Sequence, residues 1–234
     1  MTIWNWIGQA AQSGAGAFST LFGWAGNLFG DAATRRQVTF SVSLIALSAK
    51  MAKADGIVTA DEVAAFRRGF AVPEAEERHV ERLFDLARQD VAGFETYARR
   101  VAALYDDDCC PLEDVLDGLF VIAKADGAVH AAEMAYLEQV ATIFGFSQSD
   151  FERIAARHVV PEEGDPYLIL GVNRSWSFAE IRRHYRKLVV ENHPDKAIAR
   201  GLPEEFVAVA TDRLAAINRA WERIELERGR KALV

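Results

Sequence analysis

Three groupings of side chains in this 234-residue chain have the types and spacing that do chemistry. The first is His193-Pro194-Asp195-Lys196, an imidazole and a carboxylate flanking a residue whose ring fixes the backbone. Just upstream, Arg182, Arg183, Arg186 and Lys187 share one arc of a helical wheel, while Ile181, His184, Tyr185, Leu188 and Val189 share the other. Like charges three and four apart weaken a helix. A face with four cations therefore reads as a surface for an acidic partner.

The second grouping is a repeat. Met51-Ala-Lys-Ala-Asp-Gly-Ile-Val-Thr-Ala-Asp-Glu62 matches Ile122-Ala-Lys-Ala-Asp-Gly-Ala-Val-His-Ala-Ala-Glu133, each with an apolar helical pattern before and after it. Asp55, Gly56 and Glu62, like Asp126, Gly127 and Glu133, fall where an EF-hand loop carries acid, glycine and its closing Glu. The first and third loop positions are Met51 and Lys53, then Ile122 and Lys124, which excludes a standard calcium loop. Two readings stay open. Gly56 and Gly127 can end helices at positive φ, with Glu62 and Glu133 in the first turn of the next helix. Alternatively, Asp55, Glu62, Asp126 and Glu133 share a weaker divalent-metal site, the sole cofactor the residues suggest.

The third grouping, Asp106-Asp-Asp-Cys-Cys110, offers little. Vicinal cysteines are poorly placed to bridge or to chelate zinc together, so a solvated acidic turn before a helix is expected. Two cysteines make no disulfide framework, which points to a reducing compartment. His79 and His158 have no assignable partner, and nothing resembles a catalytic constellation; the chain does not read as an enzyme.

The elements that must position these groups are all helical. Val42, Ile45, Ala46 and Ala49 mark one apolar face; Leu83, Phe84, Leu86 and Ala87 a second; Phe94, Tyr97, Val101 and Leu104 a third. Asp165 to Val172 reads as a short helix ended by Gly171. Ser177 and Glu180 form a capping box for a helix over 178–191, which stops ahead of His193-Pro194. A loop with Gly201 and Pro203 leads to a long helix over about 204–227, burying Phe206, Leu214, Ile217, Ala220, Trp221 and Ile224.

Met1 to Gly30 contain no charged side chain but do contain Trp4, Trp6 and Trp24. The segment is diluted by Gly, Ser, Gln and Asn, so it suits a helix at a lipid interface at least as well as one that spans. Arg35 and Arg36 follow and place the remainder on the cytoplasmic side. Gly26 and Gly30 have the spacing that lets two such helices pair, and so a homodimer. The net charge is −7. Residues 1–164 hold 14 basic and 24 acidic side chains, residues 165–234 hold 13 and 10. Such an acidic chain is no general nucleic-acid binder.

The duplicated Asp-Gly-x-Val-x-x-x-Glu element in a helical frame resembles the TerB family of tellurite-resistance-associated domains. Asp165-Pro-Tyr, Leu170-Gly-Val172, Ile181 to Leu188, His193-Pro-Asp-Lys196 and Ile217-Asn-Arg-Ala-Trp221 together resemble the J domain of DnaJ-type co-chaperones. That resemblance implies that His193, Pro194 and Asp195 stimulate ATP hydrolysis by a DnaK-type heat-shock chaperone, with Lys196 beside them. It implies that Arg182, Arg183, Tyr185, Arg186 and Lys187 dock on that partner. His184 and Trp221 depart from the family pattern, standing where a small apolar residue and a Tyr are usual. The order of parts resembles the DjlA family of co-chaperones anchored in the inner membrane.

The expectation is an all-α chain: an apolar N-terminal helix over 1–30, a TerB-like helical domain with an internal pseudo-repeat over 31–160, and a J-domain helical hairpin over 165–234. The alternative is a metal- or stress-responsive scaffold. The N-terminal reading predicts that the full-length chain floats with liposomes and that a chain cut to residues 31–234 does not. Equal behaviour of the two in flotation rules out membrane attachment through this segment.

Overall fold

The computed structural model describes residues 32–54, 64, 66–67, 70, 72–89, 92–105, 109–125, 127–159, 164–200 and 207–231. Every regular element among the described residues is helical. The apolar segment 1–30, Asp55, Gly56, Glu62, Asp106 to Asp108, Asp126, Gly201, Pro203 and Phe206 lie outside them. Among the described residues no helix is long and apolar enough to cross a membrane.

Helix α1 (Ala32–Ala54) is the axis of the first unit, packed by α2 (Glu77–Gln89), α3 (Phe94–Ala102), α4 (Cys109–Ala123) and α5 (Ala131–Ile143). The spacing of Val42, Ile45, Ala46 and Ala49 predicts one buried face. The helix is instead buried all round from Val38 to Ala49 except at half-buried Thr39, Ser41, Ser43 and Ser48 included. The Ser48 hydroxyl donates back to the Leu44 carbonyl at 2.9 Å, which lets a polar side chain enter a dry core. On α5, Tyr136 donates its hydroxyl to the Leu47 carbonyl at 2.8 Å and packs its ring against Phe94. Gly127 has the expected positive φ, +110°, but α4 already ends at Ala123, so this glycine shapes the turn that follows instead of ending the helix itself.

Helix α6 (Gln148–Val159) closes this unit and leads to the second, made of α7 (Pro166–Leu170), α8 (Phe178–Glu191), α9 (Pro194–Ala199) and α10 (Val207–Lys231). Asp165 accepts the Tyr167 N–H at 2.9 Å and opens α7; Gly171, at φ +65°, ends it. Tyr167, Ile169, Leu170, Ile181, Ile217, Ala220, Trp221 and Ile224 form a small core of their own. The start of α10 belongs elsewhere. Val209 and Ala210, with Ala197 of α9, join the larger core of the first unit. Gly118 on α4 makes room for Phe70: a Cβ there would stand 2.9 Å from Phe70 Cζ, while Val209 Cγ2 of α10 would lie at ordinary contact distance, 4.0 Å.

The outer face of α4 is acidic, and it is buried. Glu113, Asp114 and Asp117 are each under a tenth exposed. Arg153 of α6 grips Glu113 with two nitrogens at 2.8 and 3.2 Å. Arg157 Nη2 bridges Glu113 at 2.6 Å and Asp117 at 3.1 Å. His158 bonds Asp117 at 2.6 Å and stacks flat on Phe120. From α10, Arg213 donates Nε to Asp117 at 2.7 Å and Nη2 to Asp114. Burial opposes ionisation of all three acids. Arg157, Arg213 and Arg153 outweigh it at Glu113 and hold its pKa at about 2; Arg157 and Arg213 also hold Asp117 far below the carboxylate range. Asp114 is the exception. Burial, reinforced by the Asp117 and Glu113 carboxylates, overrides its pairing with Arg213 and pushes it up to about 7.

An acid with a raised native pKa takes up a proton on folding, so its contribution to stability falls as pH rises from its unfolded value, about 4, to its native one. Glu113 and Asp117 act oppositely, and their contribution is lost only below about pH 4. Thermal unfolding of wild type and Asp114→Asn from pH 5 to 8 isolates Asp114, since His158 and the arginines are common to both. The wild type is expected to lose ground steadily to the variant up to about pH 7. Parallel curves would contradict this.

Candidate partner-binding site

The His-Pro-Asp turn sits between two helices. Asn192 caps the C-terminus of α8 and His193 is the N-cap of α9, extended at φ −68° and ψ 133° as a residue before proline must be. The sequence predicts a loop after this turn. Pro194 instead opens a six-residue helix, because a proline at the first helical position loses no hydrogen bond and already has the right φ. His193 Nδ1 accepts the Asp195 N–H at 3.2 Å. That bond requires an unprotonated Nδ1, which leaves the neutral ring's proton on Nε2. The His193 and Asp195 side chains are 51% and 86% exposed, and Lys196 is exposed beside them. Arg200 Nη1 donates to the Glu191 carbonyl at 3.1 Å and ties the end of α9 back to α8.

Helix α8 runs from Phe178 to Glu191, as its signals predict. Its capping box is closed: Ser177 N–H donates to Glu180 Oε2 at 2.8 Å, and Glu180 N–H to Ser177 Oγ at 3.3 Å. The two bonds from Ser177 hold the Glu180 carboxyl below its usual pKa. Ile181 is buried, and Arg182, Arg183, Arg186 and Lys187 are all exposed. Among the described residues, only Lys187 of these four has an acid within ion-pair distance, Glu191 at 3.7 Å. Among the described residues the face is mostly unpaired positive charge next to the turn.

Tyr185 has a different environment from the cations beside it. Its ring stacks on Trp221 at 4.8 Å and 8°, and its hydroxyl donates to Asn218 Oδ1 at 3.1 Å. Trp221 also stacks on Phe178 at 5.3 Å. His184 Nε2 donates to the Leu170 carbonyl at 3.0 Å and meets Trp176 edge-on. The two departures from the family pattern thus both sit in packing that orients α8.

Of the four acids considered for a divalent cation, Glu133 alone is described. It is buried and accepts the His130 N–H at 2.8 Å, the helix-capping role expected of it. Among the described residues no cluster of His, Cys, Asp and Glu could hold a metal. His79 and His158, which the sequence leaves without partners, bond Glu76 at 2.8 Å and Asp117. Sequence reasoning missed Asn192 and Arg213. Arg213 Nη1 donates to Asn192 Oδ1 at 3.0 Å, which connects the buried acids of α4 to the residue preceding His193. No local pattern announces a bond between residues 21 positions apart.

The family model for tellurite resistance protein TerB matches residues 41–156, and that for the DnaJ domain matches residues 165–232. The chain is 28% identical over 237 residues to the co-chaperone protein DjlA of Vibrio cholerae, covering 86% of this chain and 82% of that one. Against the DjlA of Shewanella oneidensis it is 34% identical over 119 residues, 46% of this chain and 45% of the other. Against that of Yersinia pestis it is 40% identical over 87 residues, 37% and 30%. No solved structure matches. The chain is thus DjlA-like, a TerB domain followed by a C-terminal DnaJ domain.

Proposed function

We propose that this J-domain co-chaperone recruits a DnaK-type heat-shock chaperone and stimulates its ATP hydrolysis, without catalysing a reaction itself. The observation that carries the reading is the pairing of an exposed His193 and Asp195 with an adjoining helix face of exposed cations. The likeness to DjlA co-chaperones over most of the chain supports it. Arg182, Arg183, Arg186 and Lys187 steer and orient an acidic surface of the partner, while His193, Pro194, Asp195 and Lys196 present a stiff turn to it. Tyr185, an uncharged member of the docking group, also fixes α8 on Trp221. Residues 31–160 then determine where or when the J domain works, and residues 1–30 hold the protein at the cytoplasmic face of the membrane.

The decisive variant is His193→Gln. Its side chain is half exposed and contributes one N-cap bond, so the fold is retained at a cost of about 1 kcal/mol. Stimulation of a DnaK-type ATPase by the full-length chain is expected to disappear. Stimulation at the wild-type level would overturn the proposal.

A further inference from the structure

The His-Pro-Asp turn is gripped at both ends by residues that also touch the TerB domain. On its N-terminal side, Asn192 accepts from Arg213 Nη1 at 3.0 Å, and its own Nδ2 donates to the Leu188 carbonyl at 2.8 Å. The other nitrogens of that guanidinium are held by α4, Nε by Asp117 at 2.7 Å and Nη2 by Asp114. On the C-terminal side, Ala197 of α9 is buried in the TerB core with Val209 and Ala210. The Arg213 side chain is 2% exposed, and each of its three nitrogens is committed. A planar fork with three fixed partners transmits orientation, because none of them can turn without breaking a charge-assisted bond.

We propose that Arg213 is a positioning residue through which α4 of the TerB domain sets the attitude of the His193-Pro194-Asp195 turn toward the ATPase partner. The J domain is then a fixed extension of the TerB domain. A change in α4 reaches the turn through Asp114 and Asp117, then Arg213, then Asn192. The inference rests on the co-chaperone reading above.

The test titrates a DnaK-type ATPase with the full-length chain at pH 8, where Asp114 is ionised, and separates maximal stimulation from the half-saturating concentration. Asn192→Ala is expected to lower the maximum about fivefold, the low end of coupling between sites, and to leave half-saturation unchanged because the α8 cations are untouched. Asp114→Asn lies on the other domain and does not touch the turn. It is expected to lower the maximum in the same way and to add nothing in the Asn192→Ala background. An Asp114→Asn chain that stimulates like wild type, or two effects that simply multiply, would overturn the relay. If circular dichroism finds Asp114→Asn unfolded, Arg213→Lys takes its place in the cycle, since a single ammonium nitrogen on a flexible stem lacks the planar fork whose three nitrogens hold Asp114, Asp117 and Asn192. Wild-type stimulation by that variant, or an effect that multiplies with Asn192→Ala, overturns the relay equally. His193→Gln run in parallel separates the two claims. Its retained stimulation defeats the co-chaperone reading, whereas its loss beside an unaffected Asp114→Asn defeats only the relay.

Discussion

Three carboxylates within five residues of one helix, all nearly out of contact with water, impose the constraint on which the rest of this structure depends. Taking an ion out of water costs several kcal/mol even after relaxation, and that cost is met only by well-aligned opposite charges. On α4 those charges come from two directions: Arg153 and Arg157 from α6, and Arg213 from α10, 96 residues from Asp117 and 99 from Asp114. The two sets meet at Asp117, which takes bonds from both Arg157 and Arg213. Burial of the acidic face of α4 thus draws on α6 and on the J-domain helix together. An apolar joint of the same size would tolerate sliding; guanidinium forks do not.

Helix α10 makes that joint structural rather than incidental. Its 25 residues span roughly 37 Å, enough to begin in one core and finish in the other. Val209 and Ala210 pack with the TerB helices, and Ile217, Ala220, Trp221 and Ile224 with α7 and α8. Helix α8 rests on this strut by one face and turns its cations outward. The self-repulsion of those cations is a local cost of a few tenths of a kcal/mol per pair. It is offset by the closed capping box at Ser177 and Glu180, and by the Phe178–Trp221–Tyr185 stack.

What is legible in the sequence follows the range of the forces involved. The ends of α7 and α8, the positive φ of Gly127 and Gly171, and the cap at Glu133 rest on relations within four residues. All are readable from local spacing. Pro194 reads only as a stop, although the same ring that forbids the end of one helix favours the start of another. The all-round burial of α1 is hidden by Ser41, Ser43 and Ser48, which interrupt the apolar pattern while lying in the core. The ion network is invisible because its partners are 40 to 99 residues apart, and Glu113, Asp114 and Asp117 look locally like any solvated acidic face.

That network also changes what the charge balance means. Fourteen basic against 24 acidic side chains in residues 1–164 suggests a strongly acidic surface, and 13 against 10 in residues 165–234 a mildly basic one. Glu113, Asp114 and Asp117 are not on the surface, and neither are Arg157 and Arg213. Arg213 is consumed in holding the two domains together and presents nothing to a partner. The positive field that an approaching molecule meets is consequently concentrated on α8, where Arg182, Arg183 and Arg186 are exposed. The rest of the chain keeps an acidic excess. On the proposed reading, an acidic partner is attracted to one face and repelled by the remainder, so the charge distribution orients the encounter as well as speeding it. The same arginine that is withdrawn from the surface sum bonds Asn192, the residue before the turn that adjoins this face.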